Sequence, residues 1–226
     1  MSVESATRSA NLLEQCEAEL KVIEAAGDVV SVVAAMRGRE GSAGVQETAC
    51  RALIKLTFED AENKTRSGAA GAVEAVAAAM CAHAKNASVQ EAACRALDNL
   101  TSNDENKTRA GVAGAVEAVV AAMRTHAMNA SVQEAACDVL ENLSFNDENR
   151  TRAGNAGAVE AVAAAMHAHV KSAGAQEAAC YVLSNLTSNN AKNTTRAGVA
   201  GAVEAVAAAL RTHVKSTSVQ EVACLH

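Results

Sequence analysis

Three carboxamides, Asn99, Asn142 and Asn185, stand 43 residues apart, each in the phrase Leu-x-Asn-Leu. A carboxamide offers a donor and an acceptor together, so a row of them can hold the backbone of an extended chain; an Asn near a helix end can equally serve its own loop. One helical turn earlier the residue changes from copy to copy, from Arg51 to Arg95, Asp138 and Tyr181. Lys55 stands in the first copy where later ones have Asn, and the neighbouring position runs Ile54, Asp98, Glu141, Ser184. The pattern is basic near the N-terminal end, acidic in the middle and mixed toward Tyr181. It suits a partner of alternating charge better than a simple polyanion. Arg51 and Arg95 also follow Glu47 and Glu91 by four residues, the spacing of an exposed helix ion pair. Arg95 and Asp138 are both expected at the surface.

Other repeated groups have a structural reading. Cys50, Cys94, Cys137, Cys180 and Cys224 occupy one place in successive copies. Equivalent positions on stacked helices lie about 8–10 Å apart, beyond the roughly 7 Å reach of a disulfide. The ladder reads as small buried thiols in a reducing compartment. His83, His126, His169 and His213 fall at helix ends, where positive charge suits the dipole. Ligands one repeat apart cannot share an ion at about 2.0–2.1 Å, so no metal and no cofactor is expected. Arg66, Arg109, Arg152 and Arg196 recur beside carboxylates and read as a solvated or paired face. The Ala-Gly-x-Ala-Gly segments lack the Lys and the preceding strand of a phosphate loop, and no nucleophile elbow or His-Glu-x-x-His occurs. The chain reads as no enzyme. Asn63, Asn106, Asn149 and Asn193 open Asn-x-Ser/Thr triplets, expected to carry no glycan because the N-terminus lacks the apolar stretch of a signal peptide.

The elements that position these residues follow from the period. Val-Gln-Glu recurs at Val45, Val89, Val132 and Val219, with Ala-Gln-Glu at Ala175, at intervals of 44, 43, 43 and 44 residues. Gly-Ala-Val-Glu-Ala-Val recurs at Gly71, Gly114, Gly157 and Gly201, with a degenerate copy at Gly27. Such a period marks a helical solenoid, whose units bury their apolar faces by stacking on one another. In the copy from Asn106, a short helix over about Lys107 to Val112 is expected, with Asp104, Glu105 and Asn106 as capping groups. A bend at Gly111 and Gly114 follows, then a helix from Ala115 to His126 with Val116, Val119, Val120 and Met123 on one face. The third helix runs to about Phe145, with Val132, Ala136, Val139, Leu140 and Leu143 buried. Ser131-Val132-Gln133-Glu134 reads as its capping box, as do Ser88–Glu91 and Ser218–Glu221, with Gly44 and Gly174 at the cap in the other copies.

The text Asn106-Lys-Thr-Arg-Ala-Gly-Val-Ala-Gly-Ala-Val-Glu-Ala-Val-Val, then Val132-Gln-Glu-Ala-Ala-Cys, then Leu140-Glu-Asn-Leu resembles the armadillo repeat. The resemblance covers nearly the whole chain from about Glu19. It implies an all-α, right-handed solenoid of about five three-helix repeats, the last incomplete. In such families the third helices line a concave groove, where an Asn near the helix end holds the backbone of a bound peptide. The matching positions are Asn99, Asn142 and Asn185. In importin-α-type adaptors a Trp one turn earlier forms slots for Lys and Arg; this chain has Arg51, Arg95, Asp138 and Tyr181 there. The Pro that often opens the second helix is replaced by Glu74, Glu117, Glu160 and Glu204.

The expected divisions are an N-terminal capping segment, 1–18, then repeats over 19–61 (degenerate), 62–104, 105–147, 148–191 and 192–226 (truncated). Within Ser9 to Ala26, Leu12, Leu13, Cys16, Leu20 and Ile23 are expected to face the stack. Net charge is −6 with signs mixed, against a nucleic-acid groove. No apolar run is long enough to enter a membrane, and an intracellular, cytoplasmic or nuclear, location is expected. The function expected is a non-catalytic module that binds a protein or peptide segment through Arg51, Lys55, Arg95, Asn99, Asp138, Asn142, Tyr181 and Asn185. The alternative is a scaffold subunit packing through its ends or convex face. The third helix expected from Val219 has no room for its Leu-x-Asn-Leu ending, so apolar surface near Val206 and Leu210 is expected to be open to another subunit.

Overall fold

The computed structural model describes residues 28–224 and, ahead of them, Gln15, Ala18 and Lys21, which are helical and exposed. The expected N-terminal cap otherwise lies outside the described residues. The described elements are all helices: α1 Val29–Gly38 and α2 Ala43–Thr57; α3 Ala61–Ala69, α4 Ala72–Ala82 and α5 Ala87–Thr101; α6 Asp104–Val112, α7 Ala115–Thr125 and α8 Ala130–Ser144; α9 Asp147–Ala156, α10 Ala158–Ala168 and α11 Ala173–Thr187; α12 Ala191–Val199, α13 Ala202–Thr212 and α14 Thr217–Ala223. Like stacks on like. The third helices α2, α5, α8, α11 and α14 form one row, the second helices α1, α4, α7, α10 and α13 another, and α3, α6, α9 and α12 a third. This is the expected solenoid.

Local signals set the helix ends. Gly71, Gly114, Gly157 and Gly201 join the first helix of a repeat to the second with φ of 82°, 75°, 84° and 76°. A Cβ is strained in that left-handed region, so the bend needs glycine. The third helices begin two residues before the expected capping boxes. Asn86 and Asn129 accept from the amides of Val89 and Val132, and Ser42 and Ser172 accept from Val45 and Ala175. Ser88, Ser131, Gly44 and Gly174 thus lie inside the first turn. The first helices are likewise capped one step earlier than read, by Asp60, Asn103, Asn146 and Asn190.

The core is continuous and built largely of Ala and Val. Val116, Val119, Val120 and Met123 on α7, and Val132, Ala136, Val139, Leu140 and Leu143 on α8, are all buried as their spacing requires. Small side chains let helices approach closely, and three recurring polar groups fix the approach. The first is Gln46, Gln90, Gln133, Gln176 and Gln220. Gln133 Nε2 donates to the carbonyls of Met123 at 2.9 Å and His126 at 3.1 Å, closing the end of α7, and every copy makes the same pair. These are orphan carbonyls of a helix C-terminus.

The other two groups tie one repeat to the next. Asn106 Nδ2 donates to the Lys64 carbonyl at 3.0 Å, Asn149 to Lys107 at 2.8 Å and Asn193 to Arg150 at 3.4 Å. Each carboxamide lies against a glycine of the preceding repeat, Gly68, Gly111 or Gly154, where a Cβ would collide with its Oδ1. His83, His126, His169 and His213 donate through Nε2 to the carbonyls of Glu40, Ala84, Ala127 and Val170 at 2.7–2.8 Å. The histidines do end the second helices, but their chief partners are loops of the preceding repeat. The triplets at Asn106, Asn149 and Asn193 are buried clasps, with their amide nitrogens already committed.

Candidate functional site

The outward side of the third-helix row carries the residues singled out above. Arg51, Lys55, Arg95 and Tyr181 are exposed, and Asn99, Asn142 and Asn185 are half-buried. Arg51 pairs with Glu47 at 3.0 Å and Arg95 with Glu91 at 3.2 Å, as their spacing predicts. Exposed pairs of this kind contribute about 0.3–0.5 kcal/mol, so both guanidiniums can be redirected to another carboxylate at small cost.

The Asn ladder is not uniform. Asn142 Nδ2 donates to Asp98 twice, to its carboxylate at 2.6 Å and its carbonyl at 3.3 Å, bridging α8 to α5. Its carboxamide oxygen is what it offers outward. Among the described residues the side chains of Asn99 and Asn185 have no hydrogen-bond partner.

Asp138 is half-buried, contrary to the expectation of an exposed side chain. It stands on α8 beside α5, so the Asp98 and Glu141 carboxylates and Glu134, one turn earlier on its own helix, share its surroundings. Burial pushes its carboxyl up to about 6; Asp98, Glu134 and Glu141 add to the rise and Arg95 opposes it. Burial also raises Asp98, against the hydrogen bond from Asn142 and the charges of Arg95 and Lys64. Glu141 rises through burial and then Asp98. The middle of this face is therefore a set of carboxylates held close together, with fewer cations than charge neutrality needs. A cationic group laid across it relieves that repulsion. Sequence reading placed Asp98 and Glu141 beside the variable position but missed Glu134. Its spacing four residues before Asp138 was the available signal.

The cysteine ladder lies on the inner side. Cys50, Cys94, Cys137 and Cys180 are buried, whereas Cys224 is exposed, correcting the expectation that all five are covered. Burial pushes the Cys50 thiol up to about 12 and Cys180 up to about 11, and also raises Cys94 and Cys137. A thiol held protonated is a poor nucleophile. Among the described residues no three His, Cys, Asp or Glu side chains come together to hold a metal ion, and no helix is long and apolar enough to cross a membrane. The Arg ladder is paired in part: Arg152 lies 3.8 Å from Glu117 and 3.5 Å from Glu148, and Arg196 bonds Asn193 and Asn155.

A family model described as Armadillo-like matches residues 69–218. No curated protein matches the chain. Among solved structures, an engineered protein crystallised as a structural-genomics target is similar at 26% identity with a TM-score of 0.76, covering 95% of this chain and 85% of that one. A designed armadillo repeat protein in complex with the peptide (KR)4 is 21% identical with a TM-score of 0.74, covering 99% and 92%. A structure from work on a phosphorylation switch in the interaction between cadherin and beta-catenin is 18% identical with a TM-score of 0.58, covering 91% and 45%.

Proposed function

Because this chain belongs to the Armadillo-like family, we propose that it is a non-catalytic module whose third-helix face holds an extended segment of a partner protein. One observation carries the reading. Between repeats whose Gln, Asn and His connectors are the same, the outward position runs Arg51, Arg95, Asp138, Tyr181. Divergence along one row of outward positions, beside contacts that are copied unchanged, is what a register of side-chain contacts requires.

The half-buried Asn99, Asn142 and Asn185 supply backbone contacts, each worth about 0.5–1.5 kcal/mol net. Several in series are needed, and an extended segment meets them in turn. Arg51 and Lys55 receive acidic residues of the segment. The carboxylates of Asp98, Asp138 and Glu141 receive a basic residue, and Tyr181 an apolar or planar one. A relative in fold, the designed armadillo protein, was solved with an alternating Lys-Arg peptide, which supports a cationic stretch at the acidic middle here. The net charge of −6 and the acidic centre disfavour nucleic acid. The buried thiols suit a reducing compartment inside the cell.

A peptide array in which charge is varied along the segment tests the proposal. Binding is expected to prefer basic residues at the register of Asp98 and Asp138, and acidic ones toward Arg51. Asn99→Ala, Asn142→Ala and Asn185→Ala together are expected to weaken it while the helical circular dichroism stays the same. Unchanged affinity in the triple variant moves the site off this face.

A further inference from the structure

The chain has two Phe, one Tyr and no Trp, and none of the three rings lies in the core. Phe58 is 63% exposed, Phe145 62% and Tyr181 38%. A ring is among the largest apolar surfaces a side chain can bury, and this fold buries none. All three sit on the third-helix face. Phe145 follows Asp138, Glu141 and Asn142 by seven, four and three residues, and its φ of −67° and ψ of −19° carry the helical path through it. Its side chain therefore continues their stripe. Phe58, with φ −62°, follows Arg51, Ile54 and Lys55 in the same way. Exposed Ser102 and Ser188 hold that place in the other two repeats. Phe145 is steadied from one side, where the Lys107 Nζ stands 5.6 Å from its ring centre and pairs with Asp104 at 2.8 Å. The face thus has three rows. The Asn ladder runs in the middle, the variable Arg51, Arg95, Asp138 and Tyr181 lie one turn before it, and Phe58, Ser102, Phe145 and Ser188 one turn after it.

We infer that Phe58 and Phe145 are apolar anchors of this face, and that the partner segment meets them with two apolar side chains four or six residues apart. The inference rests on the reading that the face holds an extended segment. Successive side chains of an extended chain point to opposite sides. A backbone held on the Asn row therefore turns alternate residues toward the variable row and toward the Phe row. Both apolar residues belong on the Phe side, so their separation is even. Neighbouring helices lie about 8–10 Å apart, which sets the two Phe, two helices apart, about 16–20 Å from each other. At about 3.3 Å per residue, six residues cover that span, and four reach it with the two side chains splayed. Charge fixes what stands beside each anchor. Arg51 shares a helix with Phe58, and Asp138 and Glu141 share one with Phe145. The residue next to the first anchor is acidic and the one next to the second basic. The partner is a segment with an apolar edge and a charged edge, and aromatic anchors are the side chains on which binding energy concentrates.

The test uses the full chain and synthetic peptides in which Ser alternates with a charge, Glu over one half and Lys over the other, made in both orders. Two Ser are then replaced by Leu at separations of two, four, six or eight residues. A pair four or six apart is expected to bind at least about tenfold more tightly than the parent peptide, and pairs two or eight apart to gain less. Phe58→Ser and Phe145→Ser each install the residue that other repeats carry at that place. Either is expected to abolish the gain while leaving the thermal midpoint and the affinity for the parent peptide unchanged. A gain that is independent of separation, or that survives both Ser variants, overturns the inference. So does the absence of any gain from Leu when the parent binds and the triple Asn variant weakens it, an outcome that leaves the groove reading standing. Failure of every peptide, parent included, overturns both. Sedimentation covers a second copy as occupant: a dimer dispersed by Phe145→Ser assigns the rings to self-association and overturns the segment named here.

Discussion

The junctions between repeats and the outward face of the third helices are built from the same five copies, yet they differ in kind. At the junctions the same Asn, Gly and His return, each tied to a backbone carbonyl or a backbone-thin gap, and within each repeat the same Gln closes the second helix. On the third-helix face Arg, Arg, Asp and Tyr succeed one another, held by weak pairs or by none. Contacts to the main chain can be copied indefinitely, because every copy has the same main chain. Contacts to a partner, on the function proposed here, must change along the row, because the partner does. Stability therefore resides in what repeats and selectivity in what does not.

Substitutions on the two sides should separate accordingly. Gln133→Ala strands the carbonyls of Met123 and His126 and leaves a cavity, and is expected to cost about 3 kcal/mol, read from the urea midpoint. A loss under about 0.5 kcal/mol would mean that water replaces the amide and that the connector is dispensable. Gly111→Ala drives a methyl into the Asn149 carboxamide and is expected to cost about 1–3 kcal/mol, despite the better helix propensity of Ala. Tolerance of Ala at Gly111 equal to that at Gly38, where nothing lies within 4 Å of a Cβ, would show that the clasp yields without cost.

The acidic middle gives a smaller, pH-dependent effect. The Asp138 carboxyl has an ordinary value of 3.8 and rises to about 6 in the folded chain. Between those values the folded state holds more proton than the unfolded one, so stability falls as pH rises through this window and gains as pH drops. Asp138→Asn is expected to flatten that limb of a plot of thermal midpoint against pH. A cationic segment bound there should loosen as pH falls through about 6. The smallest effect is Arg95→Ala, expected within about 0.5 kcal/mol of the parent in stability. A larger loss would show that the face is part of the scaffold after all.

The period, the three-helix unit and the buried faces were legible in the sequence because they depend on local spacing that recurs. Most of the errors share a cause, that their partners lie elsewhere in the chain; the cap position is a local one. Asn106 reads locally as a capping group, but it donates to Lys64, 42 residues earlier. Ser131 is a plausible cap; Asn129 is the actual one, and Ser42, Asn86 and Ser172 at its place in other copies were the available sign. Asp138 looks exposed on its own helix, but the neighbouring third helices of the row leave it half-buried. Cys224 follows the ladder in type, but no further third helix lies beyond α14 among the described residues to cover it. Of the site, the charge order was readable; the Asp98–Asn142 bridge was not, since it spans 44 residues.

Each period carries one half of a clasp on its first helix, the Asn, and the other half five residues on, the Gly that receives the next Asn. A whole period cut out or duplicated in register therefore rejoins matched halves, wherever in the array the event occurs. The array can lengthen, shorten or reorder by exchange between its own copies without passing through a mismatched intermediate. What such events alter is the order of Arg, Asp and Tyr along the outer face, so a single recombination rewrites that surface while leaving the architecture intact.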